Sequence, residues 1–279
     1  LSSEFASALT GRHAAIELLP FSYREFLETG VAHSETSFER YLVEGGSPQV
    51  AIGLVEARAY LSTLWDAIIL KDVVRRHKVR NVAALNDVYS LLLNAVASKF
   101  NYDSLARSNY SGISSPTIKK FVRYAREASL PTELEQFSFA TRKRIKSDRK
   151  VYAFDTGFVT AKRVSISSDW GKLLENAVFL ELLRRGARHN IDLFYYVTKS
   201  GFEVDFLRRD PNGKNQELIQ VAWIMSEQKT KEREMRALHE ASRELGVNDI
   251  KILTANQKEL YEYKGVKIEV IPTREWLVT

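Results

Sequence analysis

Three carboxylates in the C-terminal half of the chain have the spacing of ligands for divalent-metal chemistry on phosphodiesters. Glu175 is followed by Val178, Phe179 and Leu182, so on a helix it points along the apolar face, where a carboxylate is costly unless it is paired or holds a cation. Glu203 and Asp205 are two apart in Phe202-Glu-Val-Asp-Phe-Leu207. On a strand they share one face, while Val204 and Phe206 take the other. Hydrolysis with Mg²⁺ needs such convergent oxygen ligands, with a lysine to position water or stabilise charge. The next strand, Glu217-Leu-Ile-Gln-Val-Ala222, would have to supply an acid and a lysine two apart, and those positions hold Gln220 and Ala222. Glu217 is an odd number of residues from Gln220 and faces the other way. Lys229 and Lys231, early in the following helix, are the candidates for a displaced lysine. The pattern favours a retained scaffold with lost hydrolysis, and leaves Mg²⁺ binding by Glu175 and Asp205 open.

The elements that must position these acids read as a helix Gly171–Arg185, strands Leu193–Val197, Glu203–Leu207 and Glu217–Trp223, a charged helix Thr230–Leu245, and strands Ile250–Thr254 and Val266–Ile271. The order α-β-β-β-α-β, hairpin connections first and a helical crossover later, predicts a mixed sheet flanked by helices over residues 151–279.

Residues 99–150 read differently. Asn101 caps a short helix to Arg107, Ser111-Gly112 turns the chain, and Ser115-Pro116 opens a longer helix with a cap and a proline at its first position. Ile118, Phe121, Val122 and Ala125 form its apolar stripe, which leaves Thr117, Lys119, Lys120, Arg123 and Arg126 to solvent or phosphate. A strand-like Glu133–Phe139, a basic loop and Val151–Phe154 have the outline of a β-wing. The loop holds the densest cationic run in the chain: Arg142, Lys143, Arg144, Lys146, Arg149 and Lys150, with Asp148 its only acid. Two adjacent cationic surfaces favour duplex DNA as the partner, because phosphate neutralisation supplies most non-specific affinity.

Upstream, residues 31–98 have mostly helical apolar spacing after the Gly45-Gly46-Ser47-Pro48 break and read as a helical linker. Residues 1–30 run from a helix-like Ser2–Leu9 through Gly11-Arg12 into an apolar strand, Ala14–Leu19, then Pro20 and a helix Tyr23–Glu28.

Composition narrows the classes. The 279 residues are enough for two or three units. The absence of cysteine excludes disulfides, thiolate zinc sites and thiol nucleophiles, and makes a cytoplasmic protein the default. No apolar run approaches a membrane span, and Leu1-Ser-Ser-Glu4 is not a signal peptide. A formal charge of +6 favours polyanions. The five histidines stand singly, and neither a phosphate-binding loop nor a dinucleotide fingerprint is present. An interaction module without nucleic acid is the bland alternative, since a helix-turn-helix fold alone does not imply DNA binding.

Over nearly its whole length the chain resembles the C-terminal part of prokaryotic AAA+ ATPases of a mainly archaeal type, which carry a winged helix and a nuclease-like domain of the PD-(D/E)XK superfamily. The matching segments are Ala8-Leu-Thr-Gly-Arg12, Ile16-Glu-Leu-Leu-Pro-Phe-Ser-Tyr-Arg-Glu-Phe26, Gly45-Gly-Ser-Pro48, Lys150-Val-Tyr-Ala-Phe-Asp-Thr-Gly157, Leu173-Leu-Glu-Asn176 and Glu203-Val-Asp-Phe206. The resemblance implies a remnant of a P-loop ATPase core over 1–30, with Walker motifs, ATP and Mg²⁺ belonging to a missing N-terminal part, so this chain by itself is expected to have no cofactor and not to hydrolyse ATP. It also makes Arg12 a candidate arginine finger toward a neighbouring subunit, which would require a homo-oligomer; the alternative for Arg12 is a cation at a helix C-terminus. It maps Glu175, Asp205, Gln220 and Ala222 onto the helix acid, the strand acid and the Glu-x-Lys pair, and the last two depart from the pattern. The expectation is an α/β multi-domain chain acting as a DNA-binding module, with an active Mg²⁺-dependent nuclease or a protein-docking domain as alternatives.

Overall fold

A computed structural model describes residues 18–107, 112–163 and 169–279. The helix Ser2–Leu9, Arg12 and most of the strand Ala14–Leu19 lie outside them, and Leu18 and Leu19 carry no regular structure. The first described element follows from a capping box: Glu25 N donates to Ser22 Oγ at 3.1 Å while Ser22 N donates to Glu25 Oε2 at 2.7 Å, which starts α1 (Tyr23–Glu28). A reciprocal Ser34–Ser37 cap starts α2 (Glu35–Glu44), which stops at Gly45 with φ of 77°. A proline at its first position opens α3 (Pro48–Ala51). The helix α4 (Ala57–Ile68) continues through π-helical turns at Ile69–Arg75, and α5 (Val82–Asn94) is capped by Asn81.

A small antiparallel sheet comes next. Its elements are β1 (Lys99–Phe100), α6 (Tyr102–Arg107), α7 (Ser115–Glu127), β2 (Thr132–Glu135), α8 (Thr141–Lys146) and β3 (Arg149–Tyr152). The strand order β1-β3-β2 puts β3 in the centre. Asn101 caps α6 through Asp103 N and Ser104 N, as expected. Ile118, Phe121, Val122 and Ala125 are the buried stripe of α7, joined by Tyr124. The cap of α7 is Ser114, one residue earlier than expected, and Pro116 is its second residue. The helix α5, assigned to the linker, packs on this unit: Tyr89 OH donates to Phe121 O at 3.0 Å, and Val96 bridges Val151.

The expected wing is corrected in four ways. The strand Glu133–Phe139 ends as regular structure at Glu135, and the strand placed at Val151–Phe154 begins two residues earlier. The basic run is not a loop, because Thr141–Lys146 is a helix whose start is held by Lys143 N and Arg144 N donating to Ala140 O. Lysine and arginine are good helix formers, so a run of them without glycine or proline closes one turn readily. The run also splits, with Arg149 and Lys150 lying on β3.

The remaining chain builds the six-stranded sheet. After α9 (Thr156–Lys162) and α10 (Trp170–Arg184) come β4 (Leu193–Val197), β5 (Glu203–Arg209), β6 (Asn215–Ala222), α11 (Gln228–Leu245), β7 (Asp249–Thr254), β8 (Glu259–Tyr263), β9 (Val266–Pro272) and α12 (Thr273–Trp276). The strand order is β4-β5-β6-β7-β9-β8, with β6, β7 and β9 mutually parallel and the outer pairs antiparallel. The expected order α-β-β-β-α-β is present from α10 to β7. Helix α9 and strand β8 were not expected. Strand β8 closes on β9 through the two-residue turn Lys264-Gly265, with φ of 49° and 80°.

Apolar side chains pack on both faces of this sheet. One core runs unbroken from Tyr23 through α5, α7, β3 and α10 to Tyr195, Phe206, Ile219 and Leu253. The other collects Phe194, Val204, Leu218 and Ile252 beneath Met235, Leu238 and Ala241 of α11. The boundary drawn at 150/151 falls inside β3. Further along that segment, Asp155 Oδ1 accepts from Gly157 N at 2.8 Å and from Gly46 N at 3.3 Å. The approach is close enough that a Cβ on Gly157 would lie 2.4 Å from Glu44 O, and one on Gly46 would lie 2.2 Å from Phe21 O.

Candidate functional site

The four acids and amides singled out in the sequence converge. Glu175 comes from the buried face of α10, Glu203 and Asp205 from β5, and Gln220 from β6; Glu175, Asp205 and Gln220 are buried. Strict alternation fails here. Phe194 pairs with Leu207 and Tyr196 with Val204, so Asp205 and Phe206 together oppose one residue of β4. This bulge corrects the expectation that Val204 and Phe206 share a face. Val204 packs under α11, while Phe206 packs with Tyr152 and Phe179 on the α10 side. A bulge re-aims side chains without breaking the sheet.

The cation at the centre of the cluster was not among the expected ones. Lys150 Nζ lies 2.5 Å from Glu175 Oε1, 3.0 Å from Glu203 Oε1 and 2.8 Å from Asp205 Oδ1, and the whole residue is 1% exposed. In the sequence Lys150 is the last residue of the cationic run that begins at Arg142. The signal that marks it is the apolar segment Val151-Tyr-Ala-Phe154 directly after it: strand alternation puts Lys150 and Tyr152 on one face. Tyr152 OH duly donates to Glu175 Oε1 at 2.6 Å. Of the proposed displaced lysines, Lys231 is turned away, its Nζ 3.7 Å from the ring centre of Tyr261 on β8. The side chain of Lys229 lies outside the described residues. Ala222 ends β6 and brings no charge.

Other polar atoms of Asp205, Glu203 and Gln220 are engaged as well. Asp205 Oδ2 accepts from Val221 N at 2.9 Å, and Lys99 Nζ holds Glu203 Oε2 at 2.8 Å. Gln220 Oε1 accepts from Asp205 N at 3.1 Å, and its Nε2 donates to Glu234 Oε2 at 2.7 Å. Glu234, buried on α11, is paired with Arg233.

Burial is the largest influence on these groups. It pushes the Glu175 carboxyl up, aided by Asp205 and opposed by Lys150. Burial likewise raises Asp205 against the pull of Lys150. For Lys150 burial disfavours the ammonium, yet Asp205 and Glu175 outweigh it and hold the group well above its ordinary range. Glu203 is held below the usual carboxylate range, because Lys150 and Lys99 together overcome its burial.

Mg²⁺ does not fit this arrangement. It demands near-octahedral oxygens at about 2.0–2.1 Å and keeps several waters. Here an ammonium already spans all three acids, and two of them have their remaining oxygen occupied. Among the described residues, no group of three or more histidines and acids is arranged to hold a metal ion.

The second expected site is on the surface. Lys119, Lys120, Arg123 and Arg126 are exposed along α7, and Thr117 is partly buried. Among the described residues no carboxylate pairs with Lys119, Lys120 or Arg126; Arg123 reaches Glu127 at 3.7 Å. Lys119, Arg123 and Arg126 also line a cavity of about 240 Å³ with Tyr102, Glu133 and Arg149. On α8, Arg142, Lys143 and Lys146 are exposed, while Arg144 is drawn to Glu135 at 3.2 Å. Arg149 lies between Glu133 and Glu135, at 3.5 and 3.6 Å. No helix among the described residues is long and apolar enough to cross a membrane.

Two known proteins match over the whole of this chain. An uncharacterized protein of Methanocaldococcus jannaschii is 33% identical over 302 aligned residues, covering 100% of this chain and 66% of that protein. An uncharacterized protein of Haemophilus influenzae is 29% identical over 292, covering 100% and 68%. The chain thus spans about two thirds of the length of these curated relatives. No solved structure matches it. Residues 35–170 match the family model of a domain of unknown function, DUF8612, and residues 170–276 that of another, DUF4143, which is found in AAA-ATPase-associated proteins.

Proposed function

We propose that this chain is the DNA-binding part of an AAA-ATPase-associated protein, and that its nuclease-like portion does not cleave. In this reading the segment from α5 to β3 works as a winged helix, with α7 as the element that meets the duplex and α8 standing in for the wing. The six-stranded unit is a PD-(D/E)XK-like scaffold without its chemistry. ATP and Mg²⁺ would be used by an ATPase core elsewhere in the longer protein, with Arg12 its candidate finger.

The observation that carries the reading is the outer face of α7. Its apolar stripe is fully used in the core, yet Lys119, Lys120 and Arg126 project from the other side with no carboxylate among the described residues to neutralise them. A row of unneutralised cations on a rigid helix suits the phosphate backbone, whose affinity comes largely from counterion release. The helix order of this segment, one helix before β1 and two between β1 and β2, also supports it.

The test is labelled duplex DNA in Mg²⁺ buffer at two salt concentrations, read for both mobility shift and fragmentation. A salt-sensitive shift with intact DNA is expected. Replacing Lys119, Lys120 and Arg123 with alanine together should flatten the salt dependence by about 2–3 in the log–log slope. DNA fragments that disappear in Asp205→Ala would replace this reading with a nuclease. No shift at low salt would leave protein docking in its place.

A further inference from the structure

We propose that Lys150 is the permanent cation of the carboxylate cluster, and that the cluster is a joint between the two sheets rather than a metal site. The inference stands whether or not the α7 face binds DNA.

Lys150 is fixed from both sides. It sits on the central strand of the small sheet, opposite Lys99 on β1 and Leu134 on β2. Its backbone therefore belongs to one sheet, while its three acids belong to α10 and β5 of the other. The ammonium has three hydrogens, and three carboxylate oxygens lie within 3.0 Å of it. The donor set is matched one to one by its acceptors, and the lysine side chain itself is 2% exposed.

A divalent ion at this position would have to displace the ammonium or sit beside it. Displacement would strand a charged side chain in the core, and coexistence would set like charges a few ångströms apart, both costly in a low dielectric. Gln220 suits the same logic. Its amide gives one acceptor to Asp205 N and one donor to Glu234, and adds no negative charge to a cluster that already holds three acids around one buried lysine.

Neighbouring contacts make the joint continuous. Tyr152 reaches Glu175 from the same face of β3. At the other end of β3, Tyr195 OH donates to Asp148 O at 2.6 Å, and Phe137 N donates to Tyr195 O at 2.7 Å. Strand β4 is thereby tied to both ends of the α8 excursion.

The experiment uses the whole chain. Calorimetric titration of the wild type with Mn²⁺ alone should show no stoichiometric site, and Mn²⁺ should not raise the melting temperature. One-to-one binding that is lost in Asp205→Asn would overturn the proposal. Lys150→Met, which keeps the aliphatic stem, should lower the melting temperature by on the order of 10 °C, because two buried acids and the half-buried Glu203 lose their partner. Adding Glu175→Gln should recover part of that loss. Hydrogen exchange should show Lys150–Tyr152 and Val204–Phe206 losing protection together. A Lys150→Met chain that melts with the wild type would overturn the joint. Failure of Lys150→Met to fold is the same loss taken further, and the Mn²⁺ titration of the wild type then decides alone.

Discussion

Asn176 clasps the backbone of Ala153 at both ends: Ala153 N donates to its Oδ1 at 2.7 Å, and its Nδ2 donates to Ala153 O at 2.9 Å. One fully buried side chain thus pairs with β3's continuation as a strand would, and ties it to α10. Asn176→Ala leaves a buried N–H and a buried C=O without partners, each costing about 1–3 kcal/mol. Urea unfolding should show a loss of a few kcal/mol. Asn176→Asp should do no better at pH 8, because an oxygen would then face the Ala153 carbonyl.

The cations of α8 separate into two kinds. Arg142, Lys143 and Lys146 are exposed, so Arg142→Glu, Lys143→Glu and Lys146→Glu together should weaken binding of duplex DNA and leave the melting temperature within a few degrees of wild type. Arg144 is paired with Glu135 and lies over Phe194. Arg144→Ala should cost up to about 1 kcal/mol of stability as well, the usual worth of a partly exposed pair. Fluorescence anisotropy and thermal melts on the same samples check both.

Glu133 gives a pH dependence with a defined sign. Burial pushes its carboxyl up to about 7, against the opposing pull of Arg149. Between the ordinary value of 4.5 and about 7 the folded chain therefore holds a proton that the unfolded chain has released. Its contribution to stability is complete below 4.5 and is lost as pH rises through 7. The full effect is roughly 3 kcal/mol, discounted for the group's partial exposure. Glu133→Gln should flatten the stability profile across that window and gain stability at pH 8, as read by urea midpoints from pH 5 to pH 8.

Gln220→Glu restores the acid of the metal-site pattern and should harm the protein. The amide N–H that reaches Glu234 becomes an oxygen, and a further carboxylate faces Asp205. Crowded acids hold a proton, so the folded-state pKa of the new group is raised and its penalty grows with pH. A loss of about 1–3 kcal/mol at pH 8, shrinking toward pH 5, is expected. Equal melting temperatures at both pH values would show that Gln220 is not held between the two acids.

Much of the frame was readable from pattern. The helix Tyr23–Glu28 and the strand Leu193–Val197 have the predicted bounds, and α10 is displaced by one residue. These elements satisfy a local rule: a capping box, an apolar run between turns, a helical stripe. What was missed depends on distant partners. Strand β8 is mostly exposed and has little apolar pattern, so its pairing is fixed by β9 and the Lys264-Gly265 turn. The bulge at Asp205 shows only against β4. In the site, the acids stood out because carboxylates interrupt apolar runs. Lys150 did not, because it closes a cationic run and its acids lie 25 to 55 residues away.

The position of β3 sets how the chain can come apart. A cut at 150/151 would divide the middle strand of one sheet and leave the carboxylates of the other without their ammonium, so neither half is a natural fragment. The side chains that β3 sends into the other unit make the two one cooperative block, and melting should appear as a single calorimetric transition. The contacts that close the block, Lys150 to Asp205 and Gly46 to Asp155, are 55 and 109 residues apart in sequence. Such a topology folds slowly, since the ends of long loops must meet before either contact can form.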